Sequence, residues 1–135
     1  MAIELIEKLK NWFPKQPDIT GALLVGSHAR GAARPESDVD LVILTENKIS
    51  RIEDKSWLAD FGMATSTRIE NFGVVTSIFV RFQTGPEIEF GFASPSWAQT
   101  DPVDKGTFRV VSDGAIILFD SNGALGRLLR AVNLK

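Results

Sequence analysis

The feature that most constrains the fold of this chain is a turn of small residues between two apolar runs. Residues 19–25 are mostly apolar and lead into Gly26-Ser27, and Asp38-Val39-Asp40 opens a second apolar run that ends at residue 44. Each run has the length and composition of a buried strand. We therefore expect a strand, a turn of small residues, and a second strand that begins with two carboxylates.

The turn has the composition of a phosphate-binding turn. Gly26 lacks a Cβ and lets the backbone approach a ligand. A short helix predicted at 27–33 would add the positive end of its dipole. Ser27 can donate a hydroxyl, and Arg30 and Arg34 are near enough in sequence to neutralise phosphate charge. Both the Walker A and the Rossmann glycine patterns are absent, so the turn alone also fits an ordinary structural role.

The two aspartates have the spacing of metal ligands. On a strand, Asp38 and Asp40 point to the same face. Two carboxylates so close repel each other unless a cation lies between them, and oxygen ligands of this kind suit Mg²⁺ or Mn²⁺. The alternative is that Asp38 is a turn residue and Asp40 a solvated side chain. An acid inside an apolar run is costly without a partner, which favours the metal site.

A third carboxylate is available further along the chain. Glu87 and Glu89 alternate with Ile88 and Phe90 and would share one face of a later strand. If that strand lies beside the aspartate strand, one of them completes a trio of acids. We favour Glu89, which lies deeper in the strand, and keep Glu87 as the alternative. A solvent-facing polar stripe is the other interpretation.

The rest of the pattern predicts an α/β (α+β) fold, with a mixed β-sheet and helices packed on it. The interval between Ser50 and Glu53 resembles a capping box, with Gly62 as the end of the helix that follows. The predicted elements are amphipathic helices over 2–13 and from 125 onward, a helix over about 51–60, and hairpins formed by 74–82 with 88–92 and by 108–111 with 115–119.

Composition excludes several classes of site. The chain has 135 residues, no cysteine and a single histidine, His28, so thiolate sites and histidine-rich metal sites are excluded. We expect His28 to be a loop or surface residue and the three tryptophans to be core residues, Trp97 least securely. A net charge of −2 makes nucleic acid an unlikely partner. We expect a single cytoplasmic domain over 1–135, without a C-terminal helical domain and without a membrane span.

With these residues in place, the chain resembles the polymerase-β-type nucleotidyltransferase superfamily. The resemblance is carried by residues 26–31, 37–41 and 87–91, in the order Gly-Ser turn, Asp-x-Asp strand and later acid. The pattern is similar to that of minimal nucleotidyltransferases and of the catalytic domains of aminoglycoside nucleotidyltransferases.

The resemblance implies a nucleotidyltransferase-like fold and a two-metal reaction. It implies that Asp38, Asp40 and Glu89 hold two Mg²⁺ or Mn²⁺ ions, and that Gly26 and Ser27 hold the phosphates of an NTP. An AMP group, with ATP as the expected donor, would pass to an unidentified acceptor hydroxyl with release of pyrophosphate. A second copy, a separate helical partner or these strands alone would build the acceptor site. The alternative is a non-catalytic nucleotide- or partner-binding module, such as half of a toxin–antitoxin pair.

Overall fold

The computed structural model describes residues 2–34 and 36–133. Its helices and strands follow one another along the chain as α1 Ala2–Trp12, β1 Ile19–Val25, α2 Ser27–Arg30, β2 Val39–Thr45, α3 Lys48–Glu53, β3 Ala64–Asn71, β4 Val75–Phe82, β5 Ile88–Ala93, α4 Lys105–Ser112, β6 Ala115–Asp120 and α5 Ala124–Asn133. Short 3₁₀ helices span Phe13–Lys15, Ser56–Asp60 and Pro95–Ala98. Within this described part, no helix is long and apolar enough to cross a membrane.

The strands form one mixed sheet. Their order is β3-β4-β5-β2-β1-β6. The central pair β2 and β5 is parallel, and every other neighbouring pair is antiparallel. The predicted fold class, a mixed sheet with helices packed on it, is confirmed, and so is the hairpin between β4 and β5.

Both faces of the sheet are covered at its centre. Leu41 and Ile43 of β2 belong to the core beneath α1, whereas Val42 and Leu44 belong to the core beneath α4 and α5. A strand buried on both faces needs apolar residues at every position, which accounts for the unbroken apolar run of β2. Trp97 is buried in the second core, as predicted.

A polar cluster fixes the end of β2 that lies away from the aspartates. The Arg51 guanidinium binds both carboxylate oxygens of Asp18, at N–O distances of 2.5 and 2.9 Å. The Thr45 hydroxyl donates to the same carboxylate, and Arg51 also lies over the Trp12 ring. The hydrogen bond from Arg51 is the main reason why the pKa of Asp18 lies below its ordinary value.

The hairpin predicted for 108–111 and 115–119 is wrong. Residues 105–112 form α4, although they are rich in β-branched and aromatic side chains. The Asp104 carboxylate caps the helix by accepting from the amides of Gly106 and Thr107. Thr107 and Val111, four residues apart, are buried against the rest of the protein, so capping and packing outweigh the strand propensity.

The predicted helix over 51–60 and its capping box are also wrong. The chain forms α3 and then, from Ser56, a separate 3₁₀ helix, with Gly62 beyond its end. Ser50 lies inside α3, and its carbonyl accepts from the Asp54 amide at the end of the helix. Strand β3 is not predicted from the sequence, because its residues are all exposed and mostly polar and show no apolar alternation.

Candidate active site

The parallel pairing of β2 with β5 brings Asp40 beside Glu89. Both strands begin at the same edge of the sheet, and the register pairs Asp40 with Glu89 and Val39 with Ile88. Residues directly opposite each other on neighbouring strands point to the same face. The two carboxylates therefore lie side by side, on the face where α4 and α5 pack.

Asp38 completes this acidic edge more loosely. It lies just before β2, is exposed, and acts on Asp40 through its negative charge. Within residues 2–34 and 36–133, no three or more His, Cys, Asp or Glu side chains are grouped so that they could hold a metal ion. The fold thus pairs Asp40 with Glu89 and keeps Asp38 nearby, without a preformed cluster of three acids.

The environment of Asp40 opposes its ionisation. Burial is the largest cause, and the charges of Glu89 and then Asp38 add to it, raising the pKa of Asp40 to about 6. His28 and Arg30 act in the opposite direction and lower it. A cation bound between these carboxylates would relieve this repulsion, so the donor set has the chemistry of a divalent-metal site.

A buried serine distinguishes the two glutamates. Ser77 of β4 is fully buried, and its hydroxyl donates to Glu89 Oε2 over 2.8 Å. Glu87 instead forms an ion pair with Arg81 at 3.6 Å. Glu89 is therefore held beside Asp40, whereas the Glu87 carboxylate is turned to a different partner. Ser77 carries no signal in the sequence, because only the strand register places it next to an acid.

The turn after β1 lies against the Asp40 carboxylate. Val25, the last residue of β1, pairs with Asp40, so Gly26 comes next to the acid. Gly26 has φ +75°, and a Cβ at this position would overlap Asp40 Oδ2. Only glycine meets both conditions. The single-turn helix α2 follows, and its Ala29 and Arg30 amides donate to the Gly26 carbonyl.

The cationic residues around the turn differ in position. Arg30 binds Asp113 over 2.9 Å on the surface, while its charge still reaches Asp40. Arg34 is exposed, and its backbone amide donates to Ser37 Oγ. His28 is half-buried, with Nε2 3.1 Å from the Ser37 carbonyl, so it links the turn to the segment before Asp38. This linking contact goes beyond the surface role predicted for His28.

A row of side chains runs outward from the acids across the same face. The register places Phe79 of β4 opposite Glu89, and Arg68 of β3 opposite Phe79. The Arg68 guanidinium lies 4.1 Å from the centre of the Phe79 ring. The row therefore leads from Asp40 to an exposed arginine at the edge of the sheet.

Solved structures that resemble this chain include two with TM-scores above 0.5. An aminoglycoside 6-adenyltransferase from Bacillus subtilis is 14% identical, with a TM-score of 0.53 over 73% of this chain and 36% of that chain. A CCA-adding enzyme solved in complex with CTP is 17% identical, with a TM-score of 0.51 over 96% of this chain and 32% of that chain. This chain thus spans about a third of the length of each. At these identities, the likeness is one of fold.

The comparisons by sequence match a family model but no individual curated protein. No curated protein matches the chain significantly. The family model described as Polymerase beta, Nucleotidyltransferase matches residues 7–72, a segment that contains the Gly26-Ser27 turn and both aspartates. The resemblance to the polymerase-β-type nucleotidyltransferase superfamily is therefore confirmed by a family model over residues 7–72, just under half of the chain.

Proposed function

We propose that this chain transfers a nucleoside monophosphate from an NTP, with ATP as the expected donor, to an acceptor hydroxyl. The observation that carries the proposal is the contact of Gly26 with Asp40, which itself lies beside Glu89. A turn suited to phosphate thus touches a carboxylate pair suited to divalent metal. This is the combination that nucleotidyl transfer requires.

In the proposed reaction, the acceptor oxygen bonds to the α-phosphorus of the nucleotide. The bond from that phosphorus to the oxygen bridging to the β-phosphate breaks, and pyrophosphate leaves. Gly26 and Ser27 hold the β- and γ-phosphates so that the attack is in line. Arg30 and Arg34 offset developing negative charge.

The carboxylates form the proposed metal site. Asp38, Asp40 and Glu89 would hold two Mg²⁺ or Mn²⁺ ions, with Glu87 as the alternative to Glu89. Burial, and then repulsion from Glu89 and Asp38, raise the pKa of Asp40, and the repulsion supports this assignment. Bound ions supply Lewis-acid chemistry, lowering the pKa of the attacking hydroxyl and stabilising the leaving pyrophosphate. Ser77 keeps the Glu89 carboxylate in place, and Glu89 is the candidate base if the acceptor proton passes to the protein.

The test is transfer of label from α-labelled NTPs to candidate acceptors in the presence of Mg²⁺ or Mn²⁺. Asp40→Asn should abolish transfer, because it removes a ligand charge with little change in shape. Glu53→Gln, an exposed carboxylate change on α3, is the matched control and should leave transfer intact. Undiminished transfer by Asp40→Asn would refute the site.

A second candidate function is a nucleotide- or partner-binding module without catalysis, such as the nucleotidyltransferase-like half of a toxin–antitoxin pair. It is favoured by the lack of a preformed three-acid group within the described residues. Calorimetry with NTP separates the two functions. Binding that requires Mg²⁺ supports the enzyme, and binding indifferent to Mg²⁺, without pyrophosphate release, supports the module.

A further inference from the structure

The outer strand β3 presents a free edge. It is the last strand of the sheet, and all 8 of its residues are exposed. Among residues 2–34 and 36–133, only β4 pairs with it, and no strand lies beside the backbone groups on its outer side. Such an edge is a template for pairing with another strand.

The hydrogen bonding to β4 decides which backbone groups face outward. The Phe72 amide donates to the Val75 carbonyl, so the backbone of Phe72 points toward β4. In an antiparallel pair, direction alternates along the strand. Glu70 and Arg68 therefore also point toward β4, whereas Asn71, Ile69 and Thr67 direct their N–H and C=O groups away from the sheet.

The charges of β3 are complementary to a second copy of the same strand. Arg68 and Glu70 flank Ile69, share one face and form an ion pair with each other along the strand. An antiparallel copy centred on Ile69 places Arg68 opposite Glu70 of the partner subunit, and the reverse pair forms by symmetry. Centring on Arg68 or on Glu70 instead would oppose like charges. The Ile69 register is also one in which the outward backbone groups meet.

The apolar side chain of the strand fits the same register. Ile69 is 46% exposed and lies opposite the fully buried Ile78 of β4, on the face away from Arg68. In the symmetric pair it would pack against Ile69 of the partner subunit. Charges of one sign commonly protect edge strands from pairing, but the alternation here is attractive in this register.

We propose that β3 is a homodimer interface, formed by antiparallel pairing of two copies about Ile69. The symmetry axis then passes through the sheet at right angles, so the two sheets become continuous and both Asp40–Glu89 pairs lie on the same face. The row that ends at Arg68 continues into the partner subunit. This inference does not depend on the proposed transfer reaction.

The first test is sedimentation equilibrium over about 1 to about 300 µM, because an interface built around a single eight-residue strand is small and should associate weakly. Arg68→Glu and Glu70→Arg should each weaken dimerisation by about tenfold or more, since each opposes like charges at two symmetric places. The double exchange Arg68→Glu with Glu70→Arg restores opposite charges and should restore dimerisation. Glu53→Arg, an exposed change on α3, is the control and should have no effect.

Amide hydrogen exchange reports the register directly. In the dimer, the amides of Thr67, Ile69 and Asn71 should become protected as concentration rises, while secondary structure stays constant by circular dichroism. A monomeric wild type over the whole range would overturn the proposal. So would a dimer insensitive to the single charge changes, a double exchange that stays monomeric, or a dimer in which these three amides exchange freely.

Discussion

Replacing Asp40 by asparagine should stabilise the metal-free protein at neutral pH, because the native fold penalises the ionised carboxylate. The pKa of Asp40 is raised to about 6 from an ordinary value of 3.8, through burial and then through the charges of Glu89 and Asp38. Between these two values the native protein binds more protons than the unfolded chain. Stability therefore falls as pH rises through this window, and the full penalty is present above about pH 6.

The size of the pKa shift of Asp40 sets the expected gain in stability. A difference of roughly two pKa units corresponds to about 3 kcal/mol. Asp40 is only partly buried, so screening by water reduces this to about 1–2 kcal/mol. For a chain of this size, we expect Asp40→Asn to raise Tm by about 3–8 °C at about pH 8. The gain should vanish at about pH 4, where the wild-type carboxyl is protonated in the native protein.

Thermal unfolding in EDTA, followed by tryptophan fluorescence, measures the difference at each pH. Glu53→Gln on α3 serves as the control and should shift Tm little at any pH. Adding Mg²⁺ with NTP should reverse the order, because a ligand that binds the native wild type stabilises it by mass action. A Tm difference that is independent of pH, or a variant less stable than wild type at pH 8 in EDTA, would refute the electrostatic reasoning.

Three further substitutions test other parts of the structure. Gly26→Ala should cost about 1–2 kcal/mol more in thermal unfolding than Gly31→Ala, because both have positive φ but only at Gly26 would a Cβ meet a carboxylate. Ser77→Ala should lower kcat about tenfold, whereas Thr107→Val, which removes another buried hydroxyl at a similar cost of about 1–2 kcal/mol, should leave kcat unchanged. Asp18→Asn should destabilise the protein to urea by about 2–4 kcal/mol at pH 7, and the difference should shrink as pH falls below 3.8, through the lowered pKa of this carboxyl. Equal Tm losses for the two alanine variants, equal kcat for the two hydroxyl variants, or a urea difference constant with pH would contradict the respective expectation.

The centre of the fold was predictable because its chemistry is local. The runs that form β1, β2 and β5 are apolar and short, and acids interrupt the apolar pattern at the beginning of β2 and of β5. In the sequence, only the deeper position of Glu89 in its strand favours it over Glu87. The register beside Asp40 and the hydrogen bond from Ser77 favour the same choice, but they join residues far apart in sequence.

Residues 108–111 and strand β3 differ from the sequence-based prediction for two physical reasons. Residues 108–111 have strand propensity, but a cap at Asp104 and burial of Thr107 and Val111 make them helical. The exposed strand β3 is held by backbone hydrogen bonds to β4 rather than by a buried face, so its side chains carry little signal. A helix cap and packing decided the first segment, and strand pairing decided the second.

The parallel pairing of β2 with β5 sets which changes in length this chain can accept. The acids meet because two strands start at one edge of the sheet, while residues 46–87 form the long connection between them. Insertions in the loops of that connection would leave the acids in place. One residue inserted between Ile88 and Glu89 would reverse the alternation and turn the glutamate toward the opposite core. Variants of this sequence can therefore change the length of the connection. They cannot change which face of β5 carries Glu89 without separating it from Asp40.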